Sequence, residues 1–309
     1  MAAPDRVHRP PAAGGDPGAR GHHGEALVAL LELTKPRITQ LVVVTAAAGF
    51  FLGARAGVDL LLFAHTLLGT ALVAGGTNAL NQLLERQVDA RMRRTRARPL
   101  PAGRVTARAA AWFAGAISLG GVAYLALAVN RPTAGLAALT LVSYVFVYTP
   151  LKRKTSLNTL IGAVPGALPI VGGWTAAGGR LDTAAAAMFW ILFLWQLPHF
   201  LALAWIYRED YRRGGLVMLG TEDPTGRLTG RLSLLFALAL IPASLVPTLL
   251  GLTGPLYFSG ALVLGALYAA AGAGLALHVT EARARRLFRA SVLYLPALLA
   301  AMVLDRLVA

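Results

Sequence analysis

The chain has 309 residues, of which 56% are hydrophobic and only 14% charged, a composition outside the range of soluble globular domains and typical of a protein built into a bilayer. Its formal net charge is +15, but the cations are divided among short segments between apolar runs, unlike the gathered basic face of a nucleic-acid-binding domain. The absence of cysteine excludes disulfides, thiolate metal sites and cysteine nucleophiles.

Residues 1–24 are rich in Pro, Gly, Arg and His and hold too few large apolar side chains to fold. They are expected to form a disordered basic cytoplasmic tail ahead of one transmembrane domain over residues 25–309, with His8, His22 and His23 as solvated side chains. No short apolar region with a small-residue cleavage site marks a secretory signal. Nine apolar segments follow, expected near residues 38–54, 60–80, 109–129, 133–150, 157–177, 183–206, 232–251, 256–278 and 290–304. Each is close to the length that crosses a bilayer as a helix, so the fold class is all-α, a polytopic bundle of about nine transmembrane helices. Of the 29 Lys and Arg, 25 fall in the tail and in the loops after even-numbered spans, against Arg55, Arg131, Arg180 and Arg306 on the other side. That split places the N-terminus in the cytoplasm and the C-terminus outside, in a membrane of the bacterial inner type.

The end of the second span carries charge where a membrane protein needs a reason for it. In a helix, Asn81, Glu85 and Asp89 advance by about 40° per step and share one face. Magnesium binds through one or two carboxylates together with phosphate oxygens, and these three residues suit that role as metal ligands. Arg94, Arg98, Lys152, Arg153 and Lys154 follow in loops on the same side and are suited to phosphate, Arg with bidentate geometry. Spacing alone leaves the alternative open, in which the cations are topology signals and the acids their solvated partners. His199 lies within the sixth span, and an ionisable residue at membrane depth is a functional candidate, against a neutral histidine bonded to a neighbouring helix. His65 and His278 lie near span ends and read as interfacial. Gly162 and Gly166 have the four-residue spacing of close helix packing, and Pro165, Pro169 and Pro198 are expected to kink spans five and six.

Three longer stretches, in order, carry a resemblance: ALNQLLERQVDARMRRTRARPLPAGRV from Ala79 to Val105, YTPLKRKTSLNTLIGAVPGALPIVGGW from Tyr148 to Trp174, and WQLPHFLALAWIYREDYRRGGLVML from Trp195 to Leu219. Together they resemble the UbiA family of intramembrane prenyltransferases, and the third resembles its haem-farnesylating branch. The resemblance implies a helical bundle that binds the diphosphate of farnesyl diphosphate through acids and Mg2+ and transfers the farnesyl group to haem B, a substrate. It implies Asn81, Glu85 and Asp89 as the first acidic motif and Lys152 and Arg153 as a basic loop for the diphosphate, which Arg94 and Arg98 join by their position; beside a haem substrate, the membrane depth of His199 makes it a candidate haem contact or proton-transfer group. The second acidic motif departs from that of quinone-type members, because Glu209 and Asp210 are adjacent; Asp210 is its catalytic candidate, for a metal or for orienting a basic partner. The implied partners are the two substrates and the bilayer, with a haem A synthase or terminal oxidase assembly factor as candidate recipient and no nucleic acid. Prenyl transfer to another aromatic acceptor and membrane transport are the competing readings.

Overall fold

A computed structural model describes residues 18–54 and 57–308, with side chains from residue 25 onward. Most of the expected tail, His8 included, lies outside the described residues, as do the side chains of His22 and His23. The first helix, α1 (Gly18–Leu33), opens inside the stretch read as tail. It is followed by α2 (Pro36–Gly53), α3 (Leu60–Arg91), α4 (Ala107–Ala128), α5 (Arg131–Val142), a π-helical turn (Ser143–Tyr148), α6 (Thr149–Leu151), α7 (Asn158–Ala176) and α8 (Thr183–Ile206). Two short helices, α9 (Arg208–Gly214) and α10 (Leu219–Glu222), lead into α11 (Arg227–Leu249), α12 (Pro255–Leu277) and α13 (Glu281–Val308). There is no strand among the described residues, and nine spans among them are long and apolar enough to cross a bilayer, with Arg131–Leu151 counted as one.

Local chemistry sets the helix starts. Asp59 accepts hydrogen bonds from the Leu61 and Leu62 amides at the head of α3, Thr106 from Ala109 at α4, Asn130 from Thr133 at α5 and Asp182 from Ala185 at α8, each side chain satisfying donors that a helix leaves unpaired. The π-helical turn has a cause in Pro150, which offers no N–H and whose ring crowds the carbonyl four residues back. The backbone shifts register there, and the Thr149 N–H and its Oγ1 both donate to Tyr144 O, the hydroxyl at 2.8 Å.

Helix contacts close two circuits. Helices α2, α3, α4, α5 and α7 form one, and α8, α11, α12 and α13 the other, joined through α7 against α8 and α13 against α2. Leu127, Leu293, Leu267 and Trp112 stay exposed on the outside, as a lipid-facing surface requires, while Trp174, Tyr257, Tyr268 and Tyr294 are buried within. A cavity of about 390 Å³ lies between the circuits, lined by residues of α2, α3, α5, α7, α8 and α13.

Helix α3 departs most from expectation. Its apolar run ends near residue 80, yet the helix continues to Arg91 over 32 residues, about 48 Å at 1.5 Å per residue, against a hydrocarbon layer about 30 Å thick. Its last turns therefore project beyond the apolar layer and carry Asn81, Glu85 and Asp89 in regular helix. Helix α13 likewise begins at Glu281, before the expected residue 290.

The two helices that frame the cavity on one side, α2 and α7, meet backbone to backbone. A Cβ on Gly173 would stand 1.9 Å from Ala46 O, and one on Gly49 would stand 2.0 Å from Ile170 O. Gly173→Val is expected to destabilise the bundle by at least about 1–3 kcal/mol, read as a lowered unfolding temperature in detergent. Gly120→Ala, at a position with open space around it, should leave that temperature unchanged.

Candidate functional site

The charged end of α3 is buried. Asn81 and Asp89 are each 1% exposed and Glu85 9%, so the three polar side chains face into the protein along one stripe, as their spacing predicts. Each meets a cation or a donor from another segment. Lys152, just after α6, places Nζ 3.0 Å from Glu85 Oε1 and 3.2 Å from Oε2. Arg98, in the loop after α3, donates to Asp89 Oδ2 at 2.7 Å. Lys35, between α1 and α2, donates to Asn81 Oδ1 at 3.1 Å, and the Asn81 amide donates to Thr149 Oγ1 at 3.2 Å.

Two oxygens in this cluster have no hydrogen bond. Asp89 Oδ1 is buried without a partner, and Glu85 Oε1 touches Lys152 only as an ion contact outside hydrogen-bond geometry. Leaving a buried carboxylate oxygen unpaired is expensive, and free lone pairs on two carboxylates beside an amide oxygen make a set of hard oxygen donors that fits a divalent cation such as magnesium. Among the described residues no group of three or more His, Asp or Glu side chains converges, so the set consists of two acids and an amide.

Lys35 is the residue that sequence reasoning missed, because a single lysine before a span reads as a topology signal. Its backbone has φ 48° and ψ 67°, a left-handed conformation that costs a non-glycine residue about 1–2 kcal/mol and that here turns the side chain toward Asn81. Burial, then the Arg98 and Lys152 charges, depress its ammonium to a pKa of about 7, against the opposing pull of Glu85 and Asp89. Lys152 behaves in the opposite way. Burial works against its charge, but the Glu85 carboxylate outweighs it, so its pKa is raised.

The other expected residues divide into an anchor, two exposed cations and a cavity wall. Asp210, in α9, accepts from the Arg93 amide at 3.1 Å, the Arg94 amide at 3.3 Å and the Arg213 guanidinium. Burial opposes its charge, but Arg213 and the two amides prevail and hold its carboxyl below the usual range. Of the two roles expected for it, the geometry matches orientation of a basic loop. Arg94 then lies over the Tyr207 ring at 4.4 Å. Arg153 is exposed and makes no ion pair among the described residues. His199 lines the cavity on α8, together with Trp195, Gln196 and Phe200.

The cavity begins one turn below Asn81 and about two turns below Glu85. Asn78 and Thr77 line it but Asn81, Glu85 and Asp89 do not, so an apolar chamber sits beneath a charged cap. Tyr148 connects the two, since it lines the cavity and its ring lies 4.6 Å from Lys152 Nζ. Gly162 and Gly166 are a correction to expectation. They do not admit a neighbouring backbone; a Cβ on Gly162 would strike the Tyr148 ring at 2.5 Å and one on Gly166 the Gln196 Oε1 at 2.1 Å, so they make room for two cavity side chains. Pro165 and Pro169 lie inside α7 and face the same cavity.

Residues 42–295 match the sequence profile of the UbiA prenyltransferase family. The protoheme IX farnesyltransferase of Solibacter usitatus is 48% identical over 285 residues, which covers 89% of this chain and 98% of that protein. The enzyme of the same name from Koribacter versatilis is 45% identical, covering 89% and 92%. Among solved structures, a digeranylgeranylglyceryl phosphate synthase superposes with a TM-score of 0.78 at 16% identity over 92% of this chain and 100% of that one. A UbiA homologue from Archaeoglobus fulgidus bound to GPP and Mg2+ gives 0.58 at 17% identity over 89% and 99%.

With its pKa lowered to about 7, Lys35 would make the binding of an anion beside Arg98 and Lys152 pH-dependent. Below pH 7 the Lys35 ammonium is charged and available; above it, a bound anion must first draw a proton onto it, so affinity falls by up to about tenfold per pH unit. Measured with inorganic pyrophosphate between pH 7 and 9, wild-type affinity is expected to fall more steeply than that of Lys35→Arg, whose charge persists throughout. The comparison cancels the titration of the ligand, and parallel curves would refute the role given to Lys35.

Proposed function

The chain belongs to the UbiA prenyltransferase family, and from that premise we propose that it transfers the farnesyl group of farnesyl diphosphate to a vinyl group of haem B, with addition of water, to give haem O. The observation that carries this reading is the similarity, over nearly nine-tenths of the chain, to proteins named for that activity. The site accounts for how these residues perform it.

Asn81, Glu85 and Asp89 would hold magnesium, whose charge offsets that of the diphosphate and favours its departure. Lys35, Arg98 and Lys152 reach the same place and bind diphosphate oxygens as charge builds on them, while Arg94 and Arg153 stand at the mouth and draw the anion in. Asp210 positions Arg94 through its backbone. The farnesyl chain lies in the apolar cavity, where bulk water is absent and an allylic cation survives long enough to react. The Tyr148 ring, already facing a cation in Lys152, and the Tyr144 ring beside it at 5.0 Å offer π faces to that positive charge. The C1–O bond breaks with its electron pair leaving on diphosphate, and the vinyl π pair closes the bond to C1. Water adds to the resulting cation on the haem side and loses a proton. Haem, a flat apolar ring with two carboxylates, occupies the His199 side of the cavity.

The charge split supports an orientation with the N-terminus inside, the C-terminus outside, and the acid stripe and cation loops on the cytoplasmic side of the cell membrane, where a soluble diphosphate is available. Because the chain contains no cysteine, one introduced by Arg94→Cys should react in intact cells only with membrane-permeant thiol reagents; reaction with an impermeant reagent would invert the orientation.

Pigment extracts of membranes expressing the protein should contain haem O made from haem B. Glu85→Gln and Asp89→Asn are each expected to lower that yield by about 10²-fold or more while the protein still inserts. Full yield from both variants at limiting magnesium, or prenylation of a quinone precursor in place of haem, would overturn the assignment.

A further inference from the structure

Away from the charged cap, the cavity contains one imidazole whose protonation is set by a neighbouring helix. His199 Nδ1 lies 2.7 Å from Ser291 Oγ on α13. A serine hydroxyl has a single proton, and that of Ser291 is directed at Phe288 O at 2.6 Å. Toward the imidazole the hydroxyl is therefore an acceptor, and Nδ1 bears the ring proton. The lone pair is left on Nε2, which has no hydrogen-bond partner among the described residues, on a ring that lines the cavity.

The ring is also held from both sides. It stacks on Trp195 with centroids 5.5 Å apart and packs on Phe288 at 4.9 Å. Trp195 is fixed in turn, because its Nε1 donates to Ser291 O at 2.8 Å and Tyr268 OH donates to Trp195 O at 3.1 Å. Three helices, α8, α12 and α13, thus fix the His199 ring in the wall of an apolar chamber, with its neutral Nε2 free of any hydrogen bond among the described residues. Fixing the tautomer of a histidine through its other nitrogen is how proteins prepare an imidazole to bind a metal, and imidazole is a standard axial ligand of haem iron.

We infer that His199 Nε2 is an axial ligand to the iron of the haem substrate and that Ser291 is the positioning residue that sets its tautomer; the inference rests on haem being the acceptor. Ligation at the iron sets the depth of the porphyrin in the cavity and so the distance of its edge from the diphosphate end. It also gives the site a means of distinguishing haem from the metal-free ring, which has the same shape and carboxylates.

The test uses full-length protein in detergent, titrated separately with ferric haem and with metal-free protoporphyrin IX. Wild type is expected to show the absorption and electron paramagnetic resonance spectra of imidazole-ligated iron and to bind haem at least about tenfold more tightly than protoporphyrin. His199→Ala should lose both the spectrum and the preference, keep protoporphyrin binding, and recover the spectrum when free imidazole is added. Ser291→Ala should keep the ligand but bind haem about tenfold more weakly, with protoporphyrin unaffected. Retention of the spectrum in His199→Ala, or a wild type that binds both rings equally with no nitrogen ligand, overturns the inference and leaves the farnesyl-transfer reading standing. A wild type that binds neither ring overturns both.

Discussion

A charge buried away from solvent cannot be left unpaired, and this constraint organises the protein. Glu85 and Asp89 are nearly inaccessible to solvent, and removing one partner from a buried pair costs about 3–5 kcal/mol. Their partners come from separate segments: Lys152 from the connection after α6 and Arg98 from the connection after α3, with Lys35, ahead of α2, on the neighbouring Asn81. The contacts that hold the loops over the end of the bundle are thus the contacts that the proposed chemistry uses. In the proposed reaction, substrate binding would be an exchange of partners, in which cations move from carboxylate to diphosphate oxygens, and no new charge would have to be buried without compensation.

Below that cap the demands reverse. The chamber has to be apolar, has to accept rings and a long chain, and has to meet the charged layer at one boundary. The π-helical turn supplies the boundary. Pro150 displaces the backbone register of the fourth span, and the resulting turn carries Tyr144 and Tyr148 into the cavity wall, with Lys152 one turn further on. Single π-turns recur at functional sites for this reason, since they redirect side chains without ending the helix.

The nine spans and the stripe of Asn81, Glu85 and Asp89 were legible in the sequence because each rests on a period along one helix, apolar length in the first case and four-residue spacing in the second. What escaped was set by neighbours distant in sequence. The continuation of α3 to Arg91 is hidden because hydropathy reports the thickness of the apolar layer and not the end of hydrogen bonding. Lys35 gains its meaning from Asn81, 46 residues away, and from a backbone conformation that no periodicity reports. Gly162 and Gly166 follow the spacing of helix contacts, yet their neighbours are the Tyr148 and Gln196 side chains. Asp210 showed as an acid, but the Arg93 and Arg94 amides that occupy it lie 117 and 116 positions earlier.

The self-neutralised cap also bears on the end of a catalytic cycle. In the proposed reaction, diphosphate would remain in a nest of cations once the farnesyl chain had left, and tight binding there would stall turnover. Glu85 and Asp89 stay tethered within reach of Lys152 and Arg98 and compete for them continuously. They act as built-in counter-ions, present at an effective concentration far above that of any solute because they are attached to the same fold. The protein would thereby carry its own eluent, with the Lys152–Glu85 and Arg98–Asp89 ion pairs as the state toward which product release runs.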